Sequence, residues 1–416
     1  MNKELSKLVT KYREKIFFNN LEYKREIFGE LSNAIKKHNI VLIGLRQVGK
    51  TTLMEQLAQE YYHNFIREKL SNELTLSISN QEDIFYLNLK ALNIIDSEKL
   101  INDISFNKYQ LILIDEIQMI NNWSNFLQAV IDLNPQARFI VSGSNASALK
   151  NETMVNRTKV YYVNPLSFNE FKDIWKIDDI GTYLKFGSYP RSNQYNDPEI
   201  QYRELVESSI IDKIIADDLN NKVDSSKFKA LMKNMINYIG NELIVSNFES
   251  KIITRQTAKI YIEILARAQL IHLIPKYQDK NDKSKNKAYF EDKSMINFFN
   301  NFEKLDNNTW GALIENLVFC YLLKKYSNTL KLPNIFYYRG ENKKEIDFLV
   351  ESEKILIECK YQKEIDKKAL TKQLNETLDN NLIKFRKIIV TKNIDEVVDG
   401  WEFVSLEKIL RGDYGL

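Results

Sequence analysis

Cysteine, proline and glycine are scarce in this 416-residue chain, which has 2 cysteines, 6 prolines and 12 glycines. Cys320 and Cys359 cannot form a disulfide framework, so a reducing, cytoplasmic compartment is expected. The low glycine and proline content excludes collagen-like and proline-rich disordered classes. No apolar run reaches the about 18 residues of a membrane span, and residues 1–20 lack the apolar centre of a signal peptide. We therefore expect no membrane association.

The charge balance is nearly even, with 59 lysines and arginines against 56 acidic residues, a net charge of +3. That excess neither requires nor excludes a nucleic-acid partner. Hydrophobic residues make up 44% of the chain, enough to bury sizeable cores. The length predicts about two to four domains.

Between Asn39 and Asn164 short apolar runs alternate with helical stretches. The predicted strands are residues 40–43, 84–89, 111–114, 139–142 and 160–163, and a helix is predicted over 50–61. Strands that alternate with helices predict parallel βαβ units with helices on both faces of the sheet. A helical stretch from Leu5 to Lys37 precedes this region.

A glycine-rich loop joins the first of these strands to the helix. Its residues are Gly44, Leu45, Arg46, Gln47, Val48, Gly49, Lys50, Thr51 and Thr52, with the P-loop spacing G-x-x-x-x-G-K-T. Main-chain N–H groups of such a loop and the N-terminus of the following helix bind phosphate. We expect Lys50 to contact the β- and γ-phosphates, Thr51 to coordinate Mg²⁺ and Arg46 to order the loop.

The run of residues 111–114 ends in two carboxylates. Asp115, at the tip of the strand, is expected to hold Mg²⁺ through water, and Glu116 to polarise the attacking water. The next strand ends in Ser142, and Ser144 and Asn145 follow it. These polar side chains are candidates for a γ-phosphate sensor or for a helix N-cap. Arg157 is a candidate for a charge-neutralising finger or for a surface ion pair.

These motifs resemble a bacterial and archaeal family of AAA-type ATPases with a C-terminal domain of unknown function. The resemblance covers Gly44–Thr52, Leu113–Gln118, Ser142–Ser144, Pro165–Phe171 and Gly187–Pro190, and thus nearly the whole chain. It implies ATP and Mg²⁺ as ligands. Family members often have Gly-Arg where this chain has Asn156-Arg157, a departure that weakens the assignment of a finger.

A second set of charged residues follows Trp310. Glu315 lies in a helical pattern, Asp347 in an alternating strand, and Glu358 and Lys360 on one face of the next strand. Carboxylates and a lysine at one sheet edge suit a divalent ion, an oriented water and a scissile phosphate. Cys359, between the last two, is expected to point into the core.

The order helix-Glu, strand-Asp, strand-Glu-x-Lys resembles the restriction-endonuclease-like fold. The resemblance implies Glu315, Asp347 and Glu358 as metal ligands, and Gln373 as a matching helical polar residue. The alternative is a decayed nuclease fold that serves DNA binding or packing. The histidines His38, His63 and His272 are scattered and suggest no metal site.

Residues between Ser167 and about 275 are predicted to be mostly helical. Ser246–Phe248 and Arg255–Ala268 resemble a helix-turn-helix, with Arg255, Gln256 and Lys259 on one face, and Gln278–Lys287 an exposed loop or β-wing. The alternative is a bundle that relays the nucleotide state.

The expected fold class is α/β: a P-loop parallel sheet, a helical, winged-helix-like region and a small α/β restriction-endonuclease-like domain. The expected segments are 1–37, 38–175, 176–300 and 301–416. We expect an ATPase coupled to a nuclease-like, DNA-directed domain. Its expected partners are ATP, DNA and further copies of itself. The alternative is a nucleotide-dependent switch that binds DNA or a protein without cleaving DNA.

Overall fold

The computed structural model describes most of the chain. The described residues are 3–18, 23–66, 83–92, 96–106, 109–144, 158–190, 198–212, 224–279, 285–300, 302–326, 334–362 and 364–415. The chain forms two compact units, Met1–Asn164 and Pro165–Leu416. The finer division into four segments stays a prediction.

In the described part of the first unit, five parallel strands form a sheet in the order β2-β3-β4-β1-β5. Their bounds are β1 Asn39–Ile43, β2 Ile84–Asn88, β3 Leu111–Asp115, β4 Arg138–Gly143 and β5 Thr158–Tyr162. Unbroken apolar runs suit these strands because both faces of the sheet are buried. Since β4 lies between β1 and β3, the carboxyl ends of these three strands meet at one edge.

Helices flank this sheet, as the α/β prediction requires. Their bounds are α1 Lys3–Phe18, α2 Phe28–Ile35, α3 Lys50–Tyr61, α4 Ser97–Phe106 and α5 Trp123–Leu133. Apolar side chains of α1, α4 and α5 share one core with the strands, including Val9, Ile104 and Leu127. Helix α3 follows the glycine-rich loop directly and packs against β1, β3 and β4.

The helical pattern predicted over Leu5–Lys37 corresponds to two helices in the described residues, α1, which ends at Phe18, and α2, which begins at Phe28. Arg25 lies in the non-helical stretch before α2 and is only 7% exposed. Its guanidinium donates to the carbonyls of Val48, at 2.7 Å, and Asn164, at 2.8 Å. Arg25 thus connects the stretch before α2 to the glycine-rich loop and to the segment after β5.

The second unit begins with short helices and a two-stranded sheet. Their bounds are α6 Phe168–Trp175, α7 Ile180–Phe186, α8 Pro198–Glu204, α9 Ser225–Met235, α10 Arg255–Arg267, β6 Ile271–Ile274, β7 Lys287–Phe290 and α11 Ser294–Phe299. A capping box between Ser167 and Glu170 starts α6. Thr254 caps α10 by accepting from the Thr257 N–H.

Residues 225–290 have a winged-helix-like order. After α9, Ile239 and Glu242 form bridges to β7, and a 3₁₀ turn spans Val245–Phe248 before α10 and the β6–β7 hairpin. We call this stretch the wing segment. Its helices and hairpin agree with the prediction, but the expected exposure of Lys287 is wrong. Lys287 begins β7 and is 1% exposed, because its ammonium faces carboxylates of the following domain.

A six-stranded sheet completes the second unit, in the order β12-β13-β11-β10-β9-β8. The bounds are α12 Asn307–Tyr326, β8 Ile335–Arg339, β9 Glu345–Val350, β10 Ile355–Lys360, α13 Lys367–Asn375, β11 Arg386–Thr391, β12 Glu396–Val398, β13 Trp401–Ser405 and α14 Leu406–Arg411. Strands β8, β9 and β10 pair antiparallel, whereas β10 and β11 pair parallel across α13. The sequence analysis missed β8, β12 and β13.

None of the helices in the described ranges is long and apolar enough to cross a lipid bilayer.

Candidate functional site

The glycine-rich loop leaves β1 in backbone conformations with positive φ. Gly44 has φ +143°, Gln47 +67° and Gly49 +92°. A Cβ atom on Gly44 would lie 2.3 Å from the carbonyl oxygen of Val163. The loop therefore needs glycine at position 44, both for its conformation and for the close approach of Val163, which follows β5.

Lys50 lies at the start of α3 and is 7% exposed. Its ammonium donates to the carbonyl oxygens of Gly44, at 2.9 Å, and Leu45, at 2.6 Å. Burial lowers the pKa of Lys50 to about 8, although the charges of Glu116 and Asp115 oppose the shift. An anionic ligand in this loop would favour the charged ammonium.

Asp115 ends β3 and is 1% exposed. Its carboxylate accepts hydrogen bonds from the Thr51 hydroxyl, at 2.9 Å, the Asn88 amide, at 2.8 Å, and the Ser142 hydroxyl. Burial raises the pKa of Asp115, and the Ser142 and Thr51 hydrogen bonds oppose the rise. A hydroxyl and a carboxylate this close together are oxygen donors that fit Mg²⁺.

Glu116 follows Asp115 in a left-handed conformation, with φ +61°. Lys90 lies 3.1 Å from its Oε1, and Gln118 and Ser144 donate to its Oε2, Ser144 at 3.3 Å. Burial alone would raise the pKa of Glu116, but the Lys90 charge and the Gln118 hydrogen bond lower it. Glu116 is therefore ionised and held beside Asp115.

Of the candidate sensor and finger residues, Ser142 and Ser144 lie in the described part of the chain. Ser142 lies within β4 and donates to Asp115, and Ser144 follows β4 and donates to Glu116. Both side chains thus contact the carboxylates at the end of β3. Asn145 and Arg157 lie outside the described residues.

The charged residues of the second unit meet at the splayed end of β9 and β10. The strands pair as far as Ile357 and Phe348. Beyond that pair, the Asp347 carboxylate accepts from the Cys359 N–H at 2.8 Å, and Glu358 accepts from the Asp347 N–H at 3.3 Å. Side chains thus replace the main-chain ladder and bring the two carboxylates together.

Lys360 and Glu315 complete this group, which we call the carboxylate site. The Lys360 ammonium lies 2.6 Å from Glu358, which is 4% exposed. The Tyr289 hydroxyl donates to Glu315 at 2.6 Å. Burial and the Asp347 charge raise the pKa of Glu315 to about 7 and that of Glu358 to about 8. Such shifts are typical of carboxylates that lie close together in a site of low polarity.

The carboxylate site offers a divalent ion the right kind of donor. Among the described residues, no three acidic, histidine or cysteine side chains converge on one point as a preformed cage. Mg²⁺, however, is usually held by one or two carboxylates, with water and substrate phosphate as its other ligands. Asp347 and Glu358 meet that requirement by type and position.

Two further expectations for this region have different outcomes. Cys359 has intermediate exposure in β10, where it pairs with Val390 of β11, so it is less completely buried than expected. Gln373 is exposed on α13. Burial raises the pKa of the Cys359 thiol, which argues against a nucleophilic role.

Three family models match consecutive parts of the chain. Residues 36–172 match the model described as "AAA domain". The AAA model thus covers the glycine-rich loop and both carboxylates at the end of β3. Residues 36–172 form an AAA domain. Residues 177–306 and 310–409 match models described as domains of unknown function, DUF8612 and DUF4143.

The chain is also similar to individual proteins. A 141-residue stretch is 31% identical to an uncharacterized protein of Methanocaldococcus jannaschii, and covers 33% of this chain but only 28% of that protein. A variant of Thermotoga maritima RuvB is similar in structure, with 16% identity over 61% of this chain and 93% of RuvB, and a TM-score of 0.36. C. elegans PCH-2 is also similar in structure, with 13% identity over 61% of this chain and 72% of PCH-2, and a TM-score of 0.28.

The match of residues 36–172 to the AAA model supports nucleotide binding at the P-loop. Three residues that support this site were missed in the sequence: Arg25, Asn88 and Lys90. Arg25 anchors the loop at Val48, Asn88 donates to Asp115, and Lys90 pairs with Glu116. Asn88 ends β2 and pairs with Asp115 at the end of β3, and a polar residue at a strand end was a usable signal for it.

Gly44→Ala is expected to lower the free energy of unfolding by about 1–3 kcal/mol, because alanine is strained at this φ. The new Cβ would also press against the Val163 carbonyl. Nucleotide binding should fall as well, since the loop must shift. Denaturant unfolding and the binding of a fluorescent ATP analogue measure the two effects.

Gly29→Ala is the matched control. Gly29 lies in α2, and a Cβ atom there would meet nothing within 4 Å. We expect unchanged or slightly increased stability, because alanine favours helix more than glycine does. Equal stability of the two variants would contradict the strain assigned to Gly44.

Proposed function

We propose that the AAA domain hydrolyses ATP with Mg²⁺. The observation that carries this proposal is the hydrogen bond from Thr51 to the buried Asp115, 2.9 Å long, next to Lys50. Thr51 lies in the first turn of α3 and Asp115 ends β3, and only the fold brings them together. Thr51 and Asp115 would hold a Mg²⁺ ion, which would neutralise phosphate charge during phosphoryl transfer.

The chain's own groups divide the work of ATP hydrolysis. The main-chain N–H groups of residues 44–51 bind the phosphates, and Lys50 places a positive charge where negative charge develops in the transition state. Glu116 is the group that orients the attacking water, because it is ionised and adjacent to Asp115. A bound Mg²⁺ would neutralise phosphate charge in this site.

We propose further that the second unit cleaves phosphodiester bonds in DNA. The supporting observation is the carboxylate site, in which Asp347, Glu358 and Lys360 meet at one sheet edge. The element order α12-β8-β9-β10-α13-β11 surrounds it, as in the restriction-endonuclease-like fold that the sequence resembles. Glu315 approaches from α12 as a further carboxylate.

In this proposal the residues of the carboxylate site have separate tasks. Asp347 and Glu358 hold the divalent ion, which would polarise the scissile phosphate. Lys360 lies beside Glu358 and offsets charge on the phosphate that is attacked. The raised pKa of Glu358 means that ion binding must displace a proton near neutral pH.

The second candidate is a nucleotide-dependent switch that binds DNA or a protein without cleavage. The wing segment supports it, because Arg255, Gln256 and Lys259 are exposed on α10. Positive side chains on an exposed helix suit contacts with phosphate groups. In this alternative, ATP binding changes the arrangement of domains, and the carboxylate site is structural. Assembly into a homo-oligomer is compatible with both candidates.

Asp347→Ala is expected to lower plasmid cleavage by about 10²-fold or more, because loss of a metal ligand removes several kcal/mol of stabilisation. The assay incubates the full chain with plasmid and Mg²⁺ or Mn²⁺, with and without ATP. Agarose gels then measure the loss of supercoiled DNA.

Asp413→Ala serves as the control, since Asp413 is an exposed carboxylate near the carboxyl end of the described chain. It should cleave like the wild type. DNA binding without cleavage by the wild type, under every nucleotide condition, would favour the switch. Cleavage that survives in Asp347→Ala would remove the carboxylate site from the proposal.

A further inference from the structure

A buried lysine of the wing segment faces carboxylates of the carboxylate site. Lys287 begins β7, pairs with Ile274 of β6 and bridges to Glu242. The carboxylates it faces lie on other elements, Glu315 on α12 and Asp347 and Glu345 on β9. The wing segment therefore contributes a charge to a site that otherwise belongs to the following domain.

The Lys287 ammonium is enclosed by negative charge. It lies 2.8 Å from Glu345, and its side chain is 1% exposed. Burial would lower the pKa of Lys287, but the charges of Glu315, Asp347 and Glu345 raise it. Lys287 is therefore a permanent cation within the field of carboxylates proposed to attract a divalent ion.

The wing segment also fixes the carboxylate of Glu315. Tyr289, two residues after Lys287, donates its hydroxyl to one oxygen of Glu315 at 2.6 Å. On the other side, a Cβ atom built on Gly240 would lie 2.5 Å from the second oxygen. Gly240 has φ +75°, so the backbone there accommodates the close approach of Glu315. Lys287, Tyr289 and Gly240 thus hold one face of the carboxylate site.

We propose that Lys287 is a built-in counter-ion of the carboxylate site that weakens divalent-cation binding there. The inference rests on the proposed metal site of the second unit. A divalent ion at Asp347 and Glu358 would meet the repulsion of a buried ammonium, and repulsion between charges is strong where water is excluded. The wing segment, through Lys287, therefore sets the affinity of the site for metal.

A purely structural role for Lys287 makes the opposite prediction. If the ammonium only pairs with Glu345, then its removal leaves a buried carboxylate without its partner and loosens the region. Metal binding would then weaken or stay the same. A counter-ion role predicts tighter binding after the same change, so the sign of the change separates the two roles.

The test titrates Mn²⁺ into the full chain by calorimetry, without nucleotide, for the wild type, Lys287→Met and Lys287→Arg. Asp347→Asn identifies the heat that belongs to the carboxylate site. We expect Lys287→Met to bind Mn²⁺ about tenfold or more tightly, because one repelling charge is gone. Lys287→Arg keeps the charge and should bind like the wild type. Unchanged or weaker binding by Lys287→Met would overturn the inference.

A second comparison protects the test against unfolding of Lys287→Met. The double variant Lys287→Met/Glu345→Gln replaces the ion pair by two neutral side chains. It should bind Mn²⁺ more tightly than Glu345→Gln alone, and equal affinities would again contradict the inference. If Asp347→Asn changes nothing in the wild type or in any Lys287 variant, the proposed metal site itself fails. Asp347-dependent binding that ignores Lys287 refutes the counter-ion role alone.

Discussion

Lys50→Ala is expected to lower kcat/KM for ATP by about 10²–10³-fold or more, the usual effect of removing one group that stabilises the charge of a transition state. Lys50 is buried at the start of α3, and its ammonium already lies against the carbonyls of the loop. Arg46 and Lys90 lie close enough to influence the Lys50 ammonium, but neither occupies its position at the start of α3. Release of phosphate measures turnover, and a fluorescent ATP analogue measures binding.

Lys37→Ala is the matched control for this experiment. Lys37 is exposed between α2 and β1, at the end of β1 opposite to the glycine-rich loop. Its replacement by alanine removes the same charge, but away from the loop. It should leave turnover unchanged. Unaltered hydrolysis in Lys50→Ala would contradict the P-loop assignment and, with it, the proposed ATPase mechanism.

Glu116→Gln is expected to retain ATP binding but to lower kcat by about 10²–10⁴-fold, the usual contribution of a positioned base. Glutamine has the shape of glutamate and keeps a carbonyl oxygen for the hydrogen bond from Ser144. It loses the charge that pairs with Lys90 and that orients the water. Single-turnover assays should show bound ATP that is hydrolysed slowly.

Glu98→Gln controls for the change from carboxylate to amide. Glu98 is exposed on α4, and its replacement should leave kcat unchanged. If Glu116→Gln hydrolysed ATP at the wild-type rate, another group would have to orient the water. A loss of ATP binding in Glu116→Gln would instead show that its charge supports the loop.

The sequence alone was enough to predict the strands of the first unit and the charged residues of both candidate sites. The predicted strands agree with β1 to β5 to within two residues at either end, because a buried parallel strand leaves an unbroken apolar run. The P-loop spacing and the acidic pair at the end of β3 predict a phosphate site, because each motif lies within a few consecutive residues. The Asp, Glu and Lys of the second unit likewise lie on the two strands expected for them.

Contacts between distant segments were not readable. Arg25 anchors the loop at Val48, Lys90 pairs with Glu116, and Lys287 faces the carboxylate site. In the sequence, each of these cations looks like any other surface charge in a chain with 28% charged residues. Their partners depend on which distant segments the fold brings together.

The sequence by itself thus determined the strands of the AAA domain, its phosphate loop and the acidic residues of both units. These follow from local spacing, which sets backbone conformation and the direction of each side chain. Only the tertiary structure decided which cations accompany those carboxylates. That choice is made by packing, since a buried ammonium is stable only where folding places carboxylates around it.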